Sequence, residues 1–185
     1  MRISPSVALL LLLGCAGKAD SSRDTDADTD ADSDTDSDAD TDTECGADPA
    51  PPGSKSCPGA CTGGCADNVC TIDCTGDKAC EGEPLHCPPD YACLIVCNGL
   101  DACDNGVFDC PDTYACTVRC EGVDGCGDSS LECADGTCTM ECGANAVACE
   151  GAVMHCGPEA CTATCAGSVP PSMLGCDGSC DCTEC

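Results

Sequence analysis

From residue 65 onward the chain alternates apolar and polar positions in short runs, none long enough for a helix core. Cys70-Thr71-Ile72-Asp73-Cys74 sets Cys, Ile and Cys on one side and Thr and Asp on the other. That period of two is the signature of a strand with one buried face. Leu85-His86-Cys87 repeats it. Glycine lies between the two runs and Pro88-Pro89 follows the second, so turns bound both.

The runs recur. Cys70, Cys93, Cys116, Cys138 and Cys161 form one column, and Cys74, Cys97, Cys120, Cys142 and Cys165 a second. Cys80, Cys103, Cys126 and Cys149 form a third, and Cys65, Cys87, Cys110, Cys133 and Cys156 a fourth, with steps of 22 or 23 residues. The spacer from Cys133 to Cys138 is one residue short and that from Cys142 to Cys149 is one longer, so the columns return to register. Apolar columns follow: Ile72, Ile95, Val118, Met140 and Ala163 between the first two cysteines, and Leu85, Phe108, Leu131 and Met154 before the fourth. Gly76, Gly99 and Gly122 lie two past the second cysteine, where a tight corner favours glycine.

Fixed columns with self-cancelling insertions predict stacked copies of one unit. The expected fold is all-β: a disulfide-rich parallel β-solenoid of four to five coils over residues 65–169. An N-terminal cap over 45–64 would contain Cys45, Cys57 and Cys61, and a C-terminal cap over 170–185 would contain Cys176, Cys180, Cys182 and Cys185. A coil of this length resembles those of right-handed parallel β-helices, and C-x-I-x-C-x-G-x-x-A-C looks like cysteine-rich β-helix repeats. The resemblance covers about residues 65–165 and implies architecture without function. The alternative is a string of small knot-like disulfide modules, which vary loop length freely and do not keep an apolar residue between paired cysteines.

Cysteine fits the interior because the chain has no Trp and one Phe, and a narrow core needs staples. Stacked coils place equivalent residues about 4.8 Å apart, within Cα range for a disulfide but with Cβ atoms poorly set for direct stacking. Bridges between adjacent columns are therefore expected, with connectivity open. Cys70 with Cys74 is excluded, since four residues of strand span roughly 13 Å.

The N-terminus bears on compartment. Met1-Arg2, an apolar run from Val7 to Leu13, and Gly14-Cys15 have the order of an export signal over residues 1–14, too short to span a bilayer. Leu12-Leu13-Gly14-Cys15 resembles the bacterial lipobox, which implies lipidation of Cys15. Lipidating one of the 27 cysteines leaves an even number, as an oxidised exported protein wants.

Residues 15–44 read as a disordered linker. From Asp24 to Asp42 every even position is aspartate, spaced by Thr, Ser or Ala, with nothing to bury and strong self-repulsion. The roughly twenty residues of the aspartate run reach up to about 65 Å. Such linkers behind a lipobox are similar to those of many Gram-negative surface lipoproteins, which implies the outer membrane or cell surface. A calcium loop is the competing reading of D-x-D-x-D, but counting from Asp24 the turn glycine is replaced by Thr29 and the twelfth-position Glu by Thr35.

Charge and composition narrow the function classes. A formal net charge of −28 and three aromatics exclude nucleic acid, which needs a basic surface and stacking platforms. The C-x3-C spacing falls inside the zinc window, but an export signal and interleaved apolar columns favour disulfides; only Cys180, Cys182 and Cys185 resemble a metallothionein-like clamp. His86 and His155 stand three coils apart, about 14 Å on this stacking, too far for one ion. Larger β-helix proteins cut polysaccharides in long-loop clefts, and the turns here are too short to build one. Arg119 faces outward, and no Ser-His-Asp set can be assembled, so no catalytic, metal or cofactor residue is expected. Thr71, Thr117, Thr139 and Thr162 share an outward column, but the column beside it (Asp73, Val96, Arg119, Glu141, Thr164) is no lattice for ice. The expected role is a non-enzymatic envelope lipoprotein, held to a membrane by its N-terminal lipid, presenting a rigid acidic domain to a protein or glycan partner. Calcium or thiol-metal binding is the alternative, and a polysaccharide-acting enzyme comes after that.

Overall fold

The computed structural model describes residues 45–185; the expected signal segment 1–14, the expected lipidation of Cys15 and the expected linker 15–44 lie outside the described residues. The described residues are all-β. Strands β1 (Gly64–Ala66), β2 (Val69–Thr75), β4 (Ala92–Asn98), β6 (Cys116–Cys120), β8 (Cys138–Cys142), β10 (Cys161–Cys165) and β12 (Cys182–Thr183) make one seven-stranded sheet in that order. Strands β3 (Pro84–His86), β5 (Val107–Asp109), β7 (Ser130–Glu132), β9 (Val153–His155) and β11 (Ser172–Leu174) make a second, five-stranded sheet. Each coil contributes one strand to each sheet, so the chain is a parallel β-solenoid of about five turns. β1 pairs antiparallel with β2 and closes the N-terminal edge of the first sheet.

The sequence columns are the ladders. Cys70, Cys93, Cys116, Cys138, Cys161 and Cys182 pair in register, as do Cys74 with Cys97, Cys97 with Cys120, Cys120 with Cys142 and Cys142 with Cys165. Val118 opposes Met140 across the shortened spacer, because the missing residue and the added one both fall in turns. A strand slip by one would have turned every side chain of β8 to the wrong face.

The core is a thin layer between the sheets. Ile95, Val118 and Met140 from the first sheet and Phe108, Leu131 and Met154 from the second are fully buried. Disulfide sulfurs flank them at the turns, and the small Ala102 and Ala148, also fully buried, line the turns that leave the first sheet.

The glycine column has a different cause from the one expected. Gly76 has φ of 124°, as a corner residue should. Gly99 and Gly122 are required by contact between coils: a Cβ on Gly122 would lie 1.8 Å from the carbonyl oxygen of Gly99, and one on Gly99 2.2 Å from that of Gly76. Backbone cannot retreat as a flexible side chain can. Gly122→Ala is expected to cost about 1–3 kcal/mol through forced separation of two coils. Gly59→Ala, where an added Cβ meets nothing within 4 Å, is expected to stay within about 0.5 kcal/mol of the parent. Denaturant midpoints of the two variants check the contrast.

Both ends differ from simple caps. At the C-terminus β11 and β12 extend the two sheets, so residues 170–185 form a reduced final coil. At the N-terminus Cys57 and Cys61 close the first coil through Cys65 and Cys70. Cys45 does not join them; it is bonded to Cys180. The segment from Cys45 to Ser54 then runs as a strap across the β1–β2 turn and the turns that lead from the second sheet to the first. Asp48 Oδ1 accepts from Thr137 N at 2.9 Å, Pro51 O accepts from Asn68 Nδ2 at 2.9 Å, and Gly53 N donates to Asp90 O at 2.9 Å. Ser54 N donates to the hydroxyl of buried Tyr91 at 2.8 Å. Pro49, Pro51 and Pro52 suit this extended path, since proline fixes φ and needs no ladder donor.

Candidate functional site

Cysteine chemistry comes first, since the 27 cysteines are the most conspicuous candidates. Thirteen disulfides pair every cysteine from Cys45 to Cys185. Second- and third-column residues bridge one set of turns: Cys74–Cys80, Cys97–Cys103, Cys120–Cys126 and Cys142–Cys149. Fourth- and first-column residues bridge the other set: Cys87–Cys93, Cys110–Cys116, Cys133–Cys138 and Cys156–Cys161. Adjacent columns are joined, as expected, and no strand carries a bridge to itself. The shortened and lengthened spacers are the turns closed by Cys133–Cys138 at a separation of 5 and Cys142–Cys149 at 7, and Cys156–Cys161 also spans 5. Cys180, Cys182 and Cys185, which resembled a clamp, belong to three different bridges, with Cys45, Cys176 and Cys165.

The bridges stack closely. Sγ atoms of Cys87, Cys93 and Cys116 converge within 4.8 Å, as do those of Cys57, Cys61 and Cys65 and those of Cys156, Cys176 and Cys182. A fourth group joins Cys45 and Cys180 with a carboxylate oxygen of Glu159. Metal binding through such groups needs thiolates, and these sulfurs are spent in disulfides.

The outward face of the first sheet carries the threonine column. Thr117, Thr139 and Thr162 align in register, Leu94 interrupts between Thr71 and Thr117, and Thr183 of β12 extends the row. Beside it Arg119 Nε donates to Glu141 Oε2 at 2.7 Å, with Glu121 at 3.8 Å. The hydrogen bond it donates to Glu141, reinforced by that carboxylate's charge, holds the Arg119 guanidinium above its ordinary pKa. These residues line a shallow groove of about 350 Å³ with Gly143, Thr164 and Ala166. With two carboxylates around its one cation, the groove offers no net attraction to an anion.

The outward face of the second sheet holds an arrangement that spacing alone contained but that had not been read from it. His86, Asp109, Glu132 and His155 stand in one register column. His86 Nδ1 lies 2.5 Å from Asp109 Oδ2, and His155 Nε2 lies 3.6 Å from Glu132 Oε1. The histidines are thus separated by two carboxylates, each facing its own partner.

Many acidic residues have a backbone reason. Asp101, Asp124 and Asp128 adopt positive φ of 53°, 50° and 47°, with Asn105 at 57°. Asp and Asn tolerate this left-handed region better than other side-chain-bearing residues. Gly82 and Gly151 take the turn position of Asn105 and Asp128 in the coils before and after, at 66° and 76°. Lys78 adds the one basic side chain in these turns, 2.9 Å from Glu81 and 3.3 Å from Asp101. Hydrogen bonds to those two carboxylates raise its pKa.

A further groove of about 280 Å³ opens at the N-terminal end, floored by Ile72, Cys80, Pro84 and Leu85 and rimmed by Thr62, Asp73 and His86. No known family, curated protein or solved structure matches this chain.

Proposed function

We propose that the chain is a non-enzymatic lipoprotein of the bacterial cell envelope, anchored through a lipid on Cys15. It carries a rigid, acidic, disulfide-stapled solenoid on an extended tether and displays it to a protein or glycan partner. The observation that carries this reading is the bridge across each turn from Cys74 to Cys161. Turns closed at sequence separations of 5 to 7 leave no loops to form a lid or a catalytic cleft. What they leave is regular sheet faces, the kind of surface solenoids use for binding. Disulfides in such density belong to an oxidising compartment, which agrees with the export signal.

The anchor is tested by Cys15→Ser in the producing cell. The parent chain is expected in the membrane fraction with the added mass of acyl chains; the variant is expected in the soluble exported fraction without it. A parent chain that is soluble and unmodified would overturn the anchor. The thiol-metal alternative is separated by titrating free thiols in the folded, metal-free protein: the display reading expects close to none.

A further inference from the structure

The two sheets end differently at the N-terminus. In the first, β1 covers β2. In the second, β3 is the terminal strand, bonded to β5 on one side only. Val107 N donates to Glu83 O and Cys87 N donates to Asp109 O, so alternate residues 83, 85 and 87 turn toward β5. Strand geometry then points the Pro84 carbonyl and the His86 N–H and carbonyl to the open side. Beside this edge lies the N-terminal groove, where the core comes to the surface. Leu85 is half-buried, whereas its column neighbours Phe108 and Leu131 are fully buried.

We propose that this edge and groove bind an extended, basic segment of a partner protein, which adds a strand to β3. The proposal rests on the display reading and names its site and partner class. An added strand would satisfy the His86 and Pro84 backbone groups and lay an apolar side chain over Ile72 and Leu85. Its flanking Lys or Arg would face Asp73 on the groove's rim and Glu83, which immediately precedes β3; both are exposed. Asp73 spends Oδ1 on Thr75 N at 3.0 Å and on the Thr75 hydroxyl, which leaves Oδ2 available. Lys78 does not neutralise this rim, since it is held by Glu81 and Asp101.

Charge selects among the possible occupants. The chain's own residues 15–44 are an aspartate run and would be repelled by the rim. A second copy would present its terminal strand β11, whose coil carries Asp177, Asp181 and Glu184, again the wrong sign. A basic strand is attracted from a distance by the field of the whole domain and locally by the rim.

The test uses the full oxidised chain and two synthetic peptides of alternating sequence, Lys-Val repeats and Glu-Val repeats, followed by fluorescence anisotropy and amide exchange. The Lys-Val peptide is expected to bind at least tenfold more tightly, to weaken as salt rises, and to slow exchange of the His86 amide. Asp73→Asn with Glu83→Gln changes no core residue and is expected to weaken that binding about tenfold or more. Equal binding of both peptides, protection confined to other strands, or an unchanged affinity in the double variant would overturn the proposal. So would concentration-dependent self-association that buries β3, which would make a second copy the occupant. Each of these leaves the anchor and thiol tests of the display reading untouched, so the two can fail separately.

Discussion

Complete reduction of the disulfides is expected to unfold the described domain at 25 °C. Eight bridges close turns at sequence separations of 5 to 7. On the chain-entropy account each removes about 2 kcal/mol of freedom from the unfolded chain. Together they exceed the net stability of an ordinary domain, about 5–15 kcal/mol. The remaining core cannot compensate, because it contains one Phe, no Trp and one or two apolar side chains per coil from each sheet. Far-UV circular dichroism during stepwise reduction, with thiols counted at each step, measures this. Strand signal should fall as thiols appear. A native spectrum after every bridge has opened would show that packing alone holds the solenoid.

Opening the strap clasp alone is expected to have the next largest effect. Cys45–Cys180 spans a sequence separation of 135, and closure entropy grows with the logarithm of loop length. Cys45→Ser with Cys180→Ser should cost between about 4 and 5 kcal/mol. The comparison is Cys57→Ser with Cys65→Ser, a bridge of separation 8 at the exposed N-terminal end, expected to cost about 2–3 kcal/mol. None of the four positions lies in the fully buried core, so loop length is the main difference between the pairs. Urea midpoints rank them. The clasp variant should also lose amide protection in the strap near Gly53 and Ser54, while Ile95 and Val118 keep theirs. An equal cost for both pairs would mean that the strap is held by Asp48, Asn68 and Tyr91 rather than by its terminal bridge.

The repeat was legible because this fold writes its geometry into spacing. Cysteine columns report turns, and the residues between them report which side faces in. Ile72, Ile95, Val118 and Met140 could be assigned to the core before any coordinates. The excluded pairing of Cys70 with Cys74 followed from strand rise alone. Even the one-residue irregularity could be placed in turns, since only there does an insertion leave the register intact.

What could not be read is what depends on contacts across the stack. Nothing local ties Cys45 to Cys180, because the strap is extended and its direction is set by turn atoms of Thr137, Asn68 and Asp90 in three different repeats. Gly122 looked like a corner and is a close approach, a difference visible only once Gly99 lies beneath it. Asp101, Asp124 and Asp128 serve a left-handed backbone that their acidic character does not announce. The alignment of Asp109 and Glu132 with the two histidines was present in the numbering.

A disulfide map decides whether these cysteines are staples of a stacked coil. Asp77, Asp101, Asp124, Asp90, Asp112, Asp135 and Glu159 each lie inside a bridged turn, so cleavage at acidic residues under non-reducing conditions cuts these turns and leaves their two sides held by disulfides, with Cys93 and Cys97 on one peptide whose two bonds are assigned by fragmentation. Mass spectrometry should find Cys74 with Cys80, Cys97 with Cys103, Cys87 with Cys93, Cys110 with Cys116, and Cys45 with Cys180. Bridges within a strand, such as Cys70 with Cys74 or Cys116 with Cys120, would contradict the solenoid.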